Sequence, residues 1–411
     1  MKNLLWIVFA FFLMSCIENS ADPIIPEYPG YKKFISIAEL KSTIHKLASI
    51  EDETVRLKNT DALFDSLRAN KQIPFTLGDS VLFLYRGNAG SVKWAGDFNG
   101  WNSSNVEYEG TKIGKSNIWI LQKQFPTDAR LDYKIVHDGI WSMDTENSYI
   151  QYSGFGPNSE LRMPTWKPDP LTNIPNASAR GILSENIQIV SSAVNLNYQV
   201  QYKVYTPFGY SSLSNLPVIY ITDGHEYSDE RLGAMIYVVD NLIFTGKINP
   251  ILIVFIDPRD PLNIGNNRRM QEYRANIKYA NFVADELVPK IDANYKTNAL
   301  PNNRAIMGTS LGGWNAAYFG AMRSDKFQLI GIHSPAFDDA IIQTYKNSGL
   351  LPLKVFMSTG VINDTQFQAR AMKDIMTQKG YPLLYKEVNE GHSWGNWRAL
   401  MDEPLIYFFG K

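Results

Sequence analysis

Apolar residues are spaced in three different ways along this chain, and the changes of spacing divide it. From Phe34 to Asn70 they recur at three- and four-residue steps: Phe34, Ile37, Leu40, Ile44 and Leu47, then Leu57, Leu63, Phe64 and Leu67. That period predicts amphipathic helices, a helical leader over 34–72. Ile73-Pro74 closes it, because proline lacks the N–H that a continuing helix needs.

Over 73–165 the pattern shortens to strand-like runs, Val81–Tyr85, Val92–Ala95, Ile118–Leu121 and Leu131–Val136, separated by Gly, Asn and Asp. Short strands punctuated in this way predict a small all-β sandwich domain. Residues 166–180 place Pro168, Pro170 and Pro175 among Asn and Ser and read as a linker. From 181 to 411 strand and helix alternate. Strand-like runs fall at 198–205, 216–222, 251–256, 304–307, 329–333, 353–358 and 383–388, and helical patterns such as 280–295 and 366–379 lie between them. Runs apolar at nearly every position predict a mostly parallel sheet covered on both faces, an α/β architecture.

The run at 304–307 leads into Gly308-Thr309-Ser310-Leu311-Gly312-Gly313-Trp314, after which small and aromatic residues follow at helical spacing. Gly-x-Ser-x-Gly between a strand and a helix is the setting of a nucleophile elbow, where glycines on both sides of the serine let strand and helix pass close together. The sheet and the elbow together predict an α/β-hydrolase-type domain over 181–411. A serine hydroxyl is a weak nucleophile alone, so a histidine and a carboxylate are required, in the order Ser, Asp or Glu, His.

Of the 5 histidines, His45 lies in the leader, His137 in the sandwich, His225 before the elbow, and His333 one element after it. His392 remains, in a loop just after the last strand run, where open α/β sheets put their ligands. Asp364, between the run at 353–358 and a helix, is the expected carboxylate, with Glu390 and Asp338 as rivals. The Leu311 N–H supplies one oxyanion donor. The second is expected from Asp223-Gly224-His225-Glu226, with Gly224 allowing close backbone approach and the N–H of His225 or Glu226 donating. Arg268, Arg269 and Glu272 either grip an acidic substrate or brace a loop. Trp394 and Trp397 either stack an aromatic acyl group or pack the histidine loop.

A length of 411 residues suffices for two cores, and 40 Lys+Arg against 41 Asp+Glu leaves no basic excess for a nucleic-acid partner. No His, Cys or carboxylate cluster has metal-ligand spacing, so neither metal nor cofactor is implied. At the N-terminus Lys2 precedes the apolar stretch Leu4–Met14, which is too short for an ordinary membrane span. Leu13-Met14-Ser15-Cys16 resembles a bacterial lipobox, and Cys16 is the only cysteine. The expectation is a lipoprotein signal over 1–16, lipidation at Cys16, a polar tether over 17–33, and attachment to a membrane outside the cytoplasm.

Two resemblances extend this reading. Gly96-Asp97-Phe98-Asn99-Gly100-Trp101-Asn102, with Tyr133–Gly139 and Asp144, resembles the early-set, Ig-like sandwich of glycogen-binding-type carbohydrate modules. Trp94, Trp101, Trp119 and Trp141 are then either core residues or sugar-stacking platforms. Residues 181–411 resemble the bacterial esterase family that includes enterochelin esterases, feruloyl and acetyl-xylan esterases and S-formylglutathione hydrolases. Asp223-Gly224, Gly308–Gly313, Arg269–Tyr273, Ala284–Pro289 and Glu390–Arg398 carry this match. The resemblance implies a serine carboxylic-ester hydrolase, and the sandwich module with the anchored location favours feruloyl or acetyl esters of polysaccharide as its substrate. A catecholate siderophore trilactone is the alternative substrate, and a non-catalytic carbohydrate-binding lipoprotein the alternative function.

Overall fold

The computed structural model describes residues 33–411; the expected signal, Cys16 and all but the last residue of the tether lie outside the described residues. Two helices come first, α1 (Ile37–Ala48) and α2 (Glu53–Ala69). Each is N-capped by a side-chain oxygen, Ser36 accepting from the Glu39 N–H and Asp52 from the Val55 N–H. Leu40, Ile44 and Leu47 of α1 pack with Leu63, Phe64 and Leu67 of α2.

Nine strands follow: β1 (Phe75–Leu77), β2 (Ser80–Arg86), β3 (Val92–Gly96), β4 (Thr111–Lys112), β5 (Ile118–Gln124), β6 (Arg130–His137), β7 (Ile140–Ser142), β8 (Ile150–Ser153) and β9 (Gly156–Arg162). They form two antiparallel sheets, β1-β2-β5-β4 and β3-β6-β9-β8, with β7 added beside β6. In β2, Val81 and Phe83 join the sandwich interior with Trp94, Leu131 and Tyr133, whereas Leu82 and Leu84 join the α1–α2 cluster. Cover on both faces explains why this antiparallel strand is apolar at successive positions. The leader is therefore an outer layer of the sandwich.

A third, larger sheet holds β10 (Ile182–Leu183), β11 (Ile187–Val190), β12 (Gln199–Thr206), β13 (Val218–Ile221) and β14 (Leu252–Asp257). After a short surface hairpin, β15 (Arg259–Asp260) and β16 (Asn263–Asn267), it continues with β17 (Arg304–Thr309), β18 (Leu329–His333), β19 (Lys354–Gly360) and β20 (Leu383–Val388). Strand order is β10-β12-β14-β13-β17-β18-β19-β20. From β14 to β20 every pairing is parallel, and β12 with its small partners closes one edge antiparallel. In β13, Val218 and Tyr220 face one core and Ile219 and Ile221 the other. β17, which carries the serine turn, lies between β13 and β18, well inside the sheet.

One element differs from expectation. The helix read over 280–295 is α-helical at Ile277–Asn281, widens to a π-helix at Phe282–Leu287, and resumes at Val288–Asn294. Pro289 cannot donate the i→i−4 bond there, and the wider turn absorbs the missing donor.

Candidate active site

β17 ends in a turn at Ser310, whose backbone is held at φ 56, ψ −118, and the helix Leu311–Met322 starts at the next residue. A non-glycine residue at positive φ is costly unless its surroundings impose it. Here the Ser310 N–H donates to the His333 carbonyl (2.9 Å), and the Ala336 N–H donates to the Ser310 carbonyl (3.0 Å). A Cβ on Gly308 would lie 2.5 Å from the Gly312 backbone, so the strand and helix touch through these two glycines.

Ser310 Oγ lies 2.9 Å from His392 Nε2, and His392 Nδ1 lies 2.6 Å from Asp364 Oδ1. The other Asp364 oxygen accepts from the Gly360 N–H and the Ser334 hydroxyl, both at 2.6 Å. A carboxylate only accepts, so the imidazole donates through Nδ1 and leaves Nε2 free to accept from the serine hydroxyl. The rival carboxylates are committed elsewhere. Asp338 caps the helix Asp339–Asn347 and accepts from Trp314 Nε1, and Glu390 accepts from Trp166 Nε1. His333 is wholly buried with Nδ1 2.8 Å from Ser358 Oγ, and burial pushes its pKa down to about 3.

Leu311 opens its helix, and its N–H has no acceptor among the described residues. The His225 N–H has none either, whereas the Glu226 N–H donates to the Asp223 carbonyl (2.9 Å), which removes Glu226 as a donor. A Cβ on Gly224 would lie 2.4 Å from the Phe255 backbone, so packing against β14 requires glycine there. The His225 side chain turns toward Asp257, away from the serine cleft, into a hollow shared with Lys203 and Asn186.

Ser310 and His392 open on a cleft of about 620 Å³ between the two domains. The hydrolase domain lines it with Arg269, Glu226 and Trp394, and the sandwich with Trp101, Trp141, Lys134 and Phe155. Trp94 and Trp119 are core residues, but Trp101 and Trp141 stack at 6.5 Å on the cleft side, and Phe155 is fully exposed. Two expected substrate contacts need correction. Glu272 is 1% exposed and accepts from the Tyr198 hydroxyl (2.8 Å); burial, partly opposed by that bond, pushes its pKa up to about 7. Trp394 is 2% exposed, packs edge-on against Tyr227 and Trp397, and donates to Glu226 Oε2 (2.7 Å), so it offers no open stacking face. Arg269 reaches the cleft, but its Nε is paired with Asp223 at 2.9 Å.

Sequence spacing gave no sign of a buried charge cluster where the domains meet. Arg130 sits among Asp132, Glu160 and Glu390, with Asp97 beside Asp132. Burial, reinforced by the Asp132 charge, pushes Asp97 up to about 8, and burial pushes Glu390 up to about 7. Burial alone would also raise Glu160, but Arg130 and Arg162 overcome it and hold that group below the ordinary range. Asp97 therefore keeps its proton in the folded state across a range where the unfolded chain has released it. Its contribution to stability is full below about pH 4 and is lost as pH rises through about 8. The thermal midpoint is expected to fall between pH 5 and pH 8. Asp97→Asn should make that fall shallower, leaving the shares of Glu390 and Glu272, at a pH-independent cost of about 1 kcal/mol for one hydrogen bond lost. Calorimetry across the range measures both effects.

Comparison with known proteins places this geometry in a family. The family model described as "Putative esterase" matches residues 191–408. The uncharacterized protein YjcH of Bacillus subtilis is 26% identical over 222 residues, covering 51% of this chain and 91% of that protein. An endo-1,4-beta-xylanase/feruloyl esterase of Xylanibacter ruminicola is 31% identical over 140 residues, 32% of this chain but only 19% of that much longer protein. Among solved structures, the ferric enterobactin esterase of Salmonella typhimurium superposes with a TM-score of 0.67 at 16% identity. The match covers 80% of this chain and 93% of that one, and so takes in residues ahead of 191. With more than half of its length matched, the chain belongs to the putative esterase family and is a carboxylic-ester hydrolase.

Proposed function

We propose that this chain is a serine esterase that works through an acyl-enzyme, with Ser310, His392 and Asp364 as its triad. The observation that carries the reading is the relay of two contacts, 2.9 and 2.6 Å, on the floor of the interdomain cleft. His392 Nε2 takes the Ser310 proton as Oγ attacks the ester carbonyl. The N–H groups of Leu311 and His225 receive the oxyanion. Collapse expels the alcohol, which takes the proton back from His392, and a water deprotonated by the same nitrogen releases the acid.

The cleft favours an uncharged ester over a highly anionic chelate. Its charged lining is Asp132 and Glu226 beside Lys134 and Arg269, with Asp132 paired to Arg130 and Arg269 to Asp223, so no cationic excess is left. A site for a multiply charged anion is expected to carry such an excess. Trp101, Trp141 and Phe155 offer flat apolar surface of the kind that holds sugar or phenolic rings. The substrate class is therefore a feruloyl or acetyl ester of a polysaccharide or oligosaccharide, met outside the cytoplasm by an enzyme tethered through Cys16.

Feruloylated oligosaccharide, acetylated oligosaccharide and a ferric catecholate trilactone, assayed on one preparation, test this reading. A sugar-linked ester is expected to give the highest kcat/KM, by at least about tenfold. A preference for the trilactone would overturn the substrate assignment, and failure of a fluorophosphonate to label the protein would overturn the serine mechanism.

A further inference from the structure

The sandwich holds the catalytic histidine loop from outside the hydrolase domain. We propose that Arg130, on β6 of the sandwich, is a positioning residue for His392. The docked sandwich is then a working part of the esterase and not an appended module. The inference rests on the triad reading above.

The Arg130 guanidinium is wholly buried. Its Nε donates to Glu160 Oε1 and one Nη to Asp132 Oδ1, both at 2.5 Å, so two sandwich carboxylates fix its plane. The remaining Nη faces the other domain. It donates to Ser393 Oγ at 3.0 Å and lies 3.8 Å from Glu390 Oε2. Ser393 follows His392 directly and Glu390 precedes it by two, so one rigid cation touches the loop on both sides of the base. The Arg130 N–H adds a bond to the Asn389 carbonyl (3.3 Å). The carboxylate loop is tied to the same domain, because Asn363, next to Asp364, donates through Nδ2 to the Asp97 carbonyl (2.8 Å).

Two glycines in the histidine loop point the same way. A Cβ on Gly391 would lie 2.3 Å from Asp97 Cγ, and one on Gly395 would lie 1.9 Å from Arg130 Cζ. Neither has a positive φ, so backbone conformation does not require glycine at either place. What requires it is the sandwich pressed against the loop.

The alternative is that Arg130 only glues the domains together. Kinetics of the full-length chain separate the two. Gly395→Ala drives the whole guanidinium off the loop, its Asp132-paired nitrogen included; Ser393→Ala removes a single contact and leaves the sandwich's own ion pairs in place; Arg130→Lys keeps the charge and loses the fork. On a small chromogenic ester, Gly395→Ala and Arg130→Lys should lower kcat by about 10- to 100-fold with KM changed less than about twofold, the scale of a misplaced catalytic group. Ser393→Ala should cost a few-fold. The far-downfield Nδ1–H resonance of His392 should shift or broaden in step. If Arg130→Lys does not fold, Gly395→Ala and Ser393→Ala decide.

Folded variants with wild-type kcat and an unmoved resonance would overturn the positioning role. Ser310→Ala run alongside keeps the two claims apart. If it still turns over ester, the triad reading itself has failed. If it is inactive while Gly395→Ala is fully active, only the role of Arg130 has failed.

Discussion

Ser310→Ala is expected to lower kcat for a small chromogenic ester by about 10⁴- to 10⁶-fold and to abolish fluorophosphonate labelling, with the fold intact. In the proposed mechanism Oγ is the atom that forms the acyl-enzyme, and without it what remains is whatever the oxyanion donors and binding give to direct attack by water. The backbone at this position will not relax, because φ 56 is imposed by bonds to His333 and Ala336 that alanine also makes. Alanine keeps the Cβ and with it the strain, so the thermal midpoint should move little. The measurement is a steady-state rate with a circular-dichroism melt on the same sample. A variant within tenfold of the wild-type rate would place the nucleophile elsewhere.

That a serine, a histidine and a carboxylate meet here was legible because each sits at the end of a strand that the hydrophobic pattern exposes. β17, β19 and β20 run parallel, so the segments that follow them emerge at one edge of the sheet, and Ser310, Asp364 and His392 follow those three strands. The strand order across the sheet, by contrast, is a property of long-range pairing that linear spacing does not carry.

What misled was burial. Arg269 and Glu272 look alike in sequence, two charges on one short helix, yet one reaches the cleft and the other is sealed beneath Tyr198. The tryptophans divide similarly. Trp94, on β3, and Trp119, on β5, face the sandwich interior, whereas Trp101 sits in a turn at φ 60 and Trp141 on the small added strand β7. Least legible was the contact between Arg130 and Ser393, 263 positions apart. Its only trace in the sequence is a pair of glycines flanking a histidine, and a glycine that accommodates a foreign side chain looks like any loop glycine.

Asp364→Asn is expected to cost about 10⁴-fold in kcat, more than the loss of one charge explains, because the substitution reverses the imidazole. In the wild type Oδ2 accepts from Gly360 N–H and Ser334 Oγ–H, two donors fixed by the turn, while Oδ1 faces His392 Nδ1. An asparagine in the same place keeps its single oxygen where the two donors are, since turning it around would set an NH₂ against an N–H. The amide nitrogen then faces Nδ1 and donates to it. His392 must then accept at Nδ1 and carry its proton on Nε2, the atom that in the proposed mechanism takes the proton from Ser310. A neutral base of the wrong tautomer, held in the right position, is the predicted state. The effect should therefore shrink at high pH, where hydroxide replaces the base. Asp364→Asn activity within tenfold of wild type at neutral pH would show that the aspartate orients nothing of consequence.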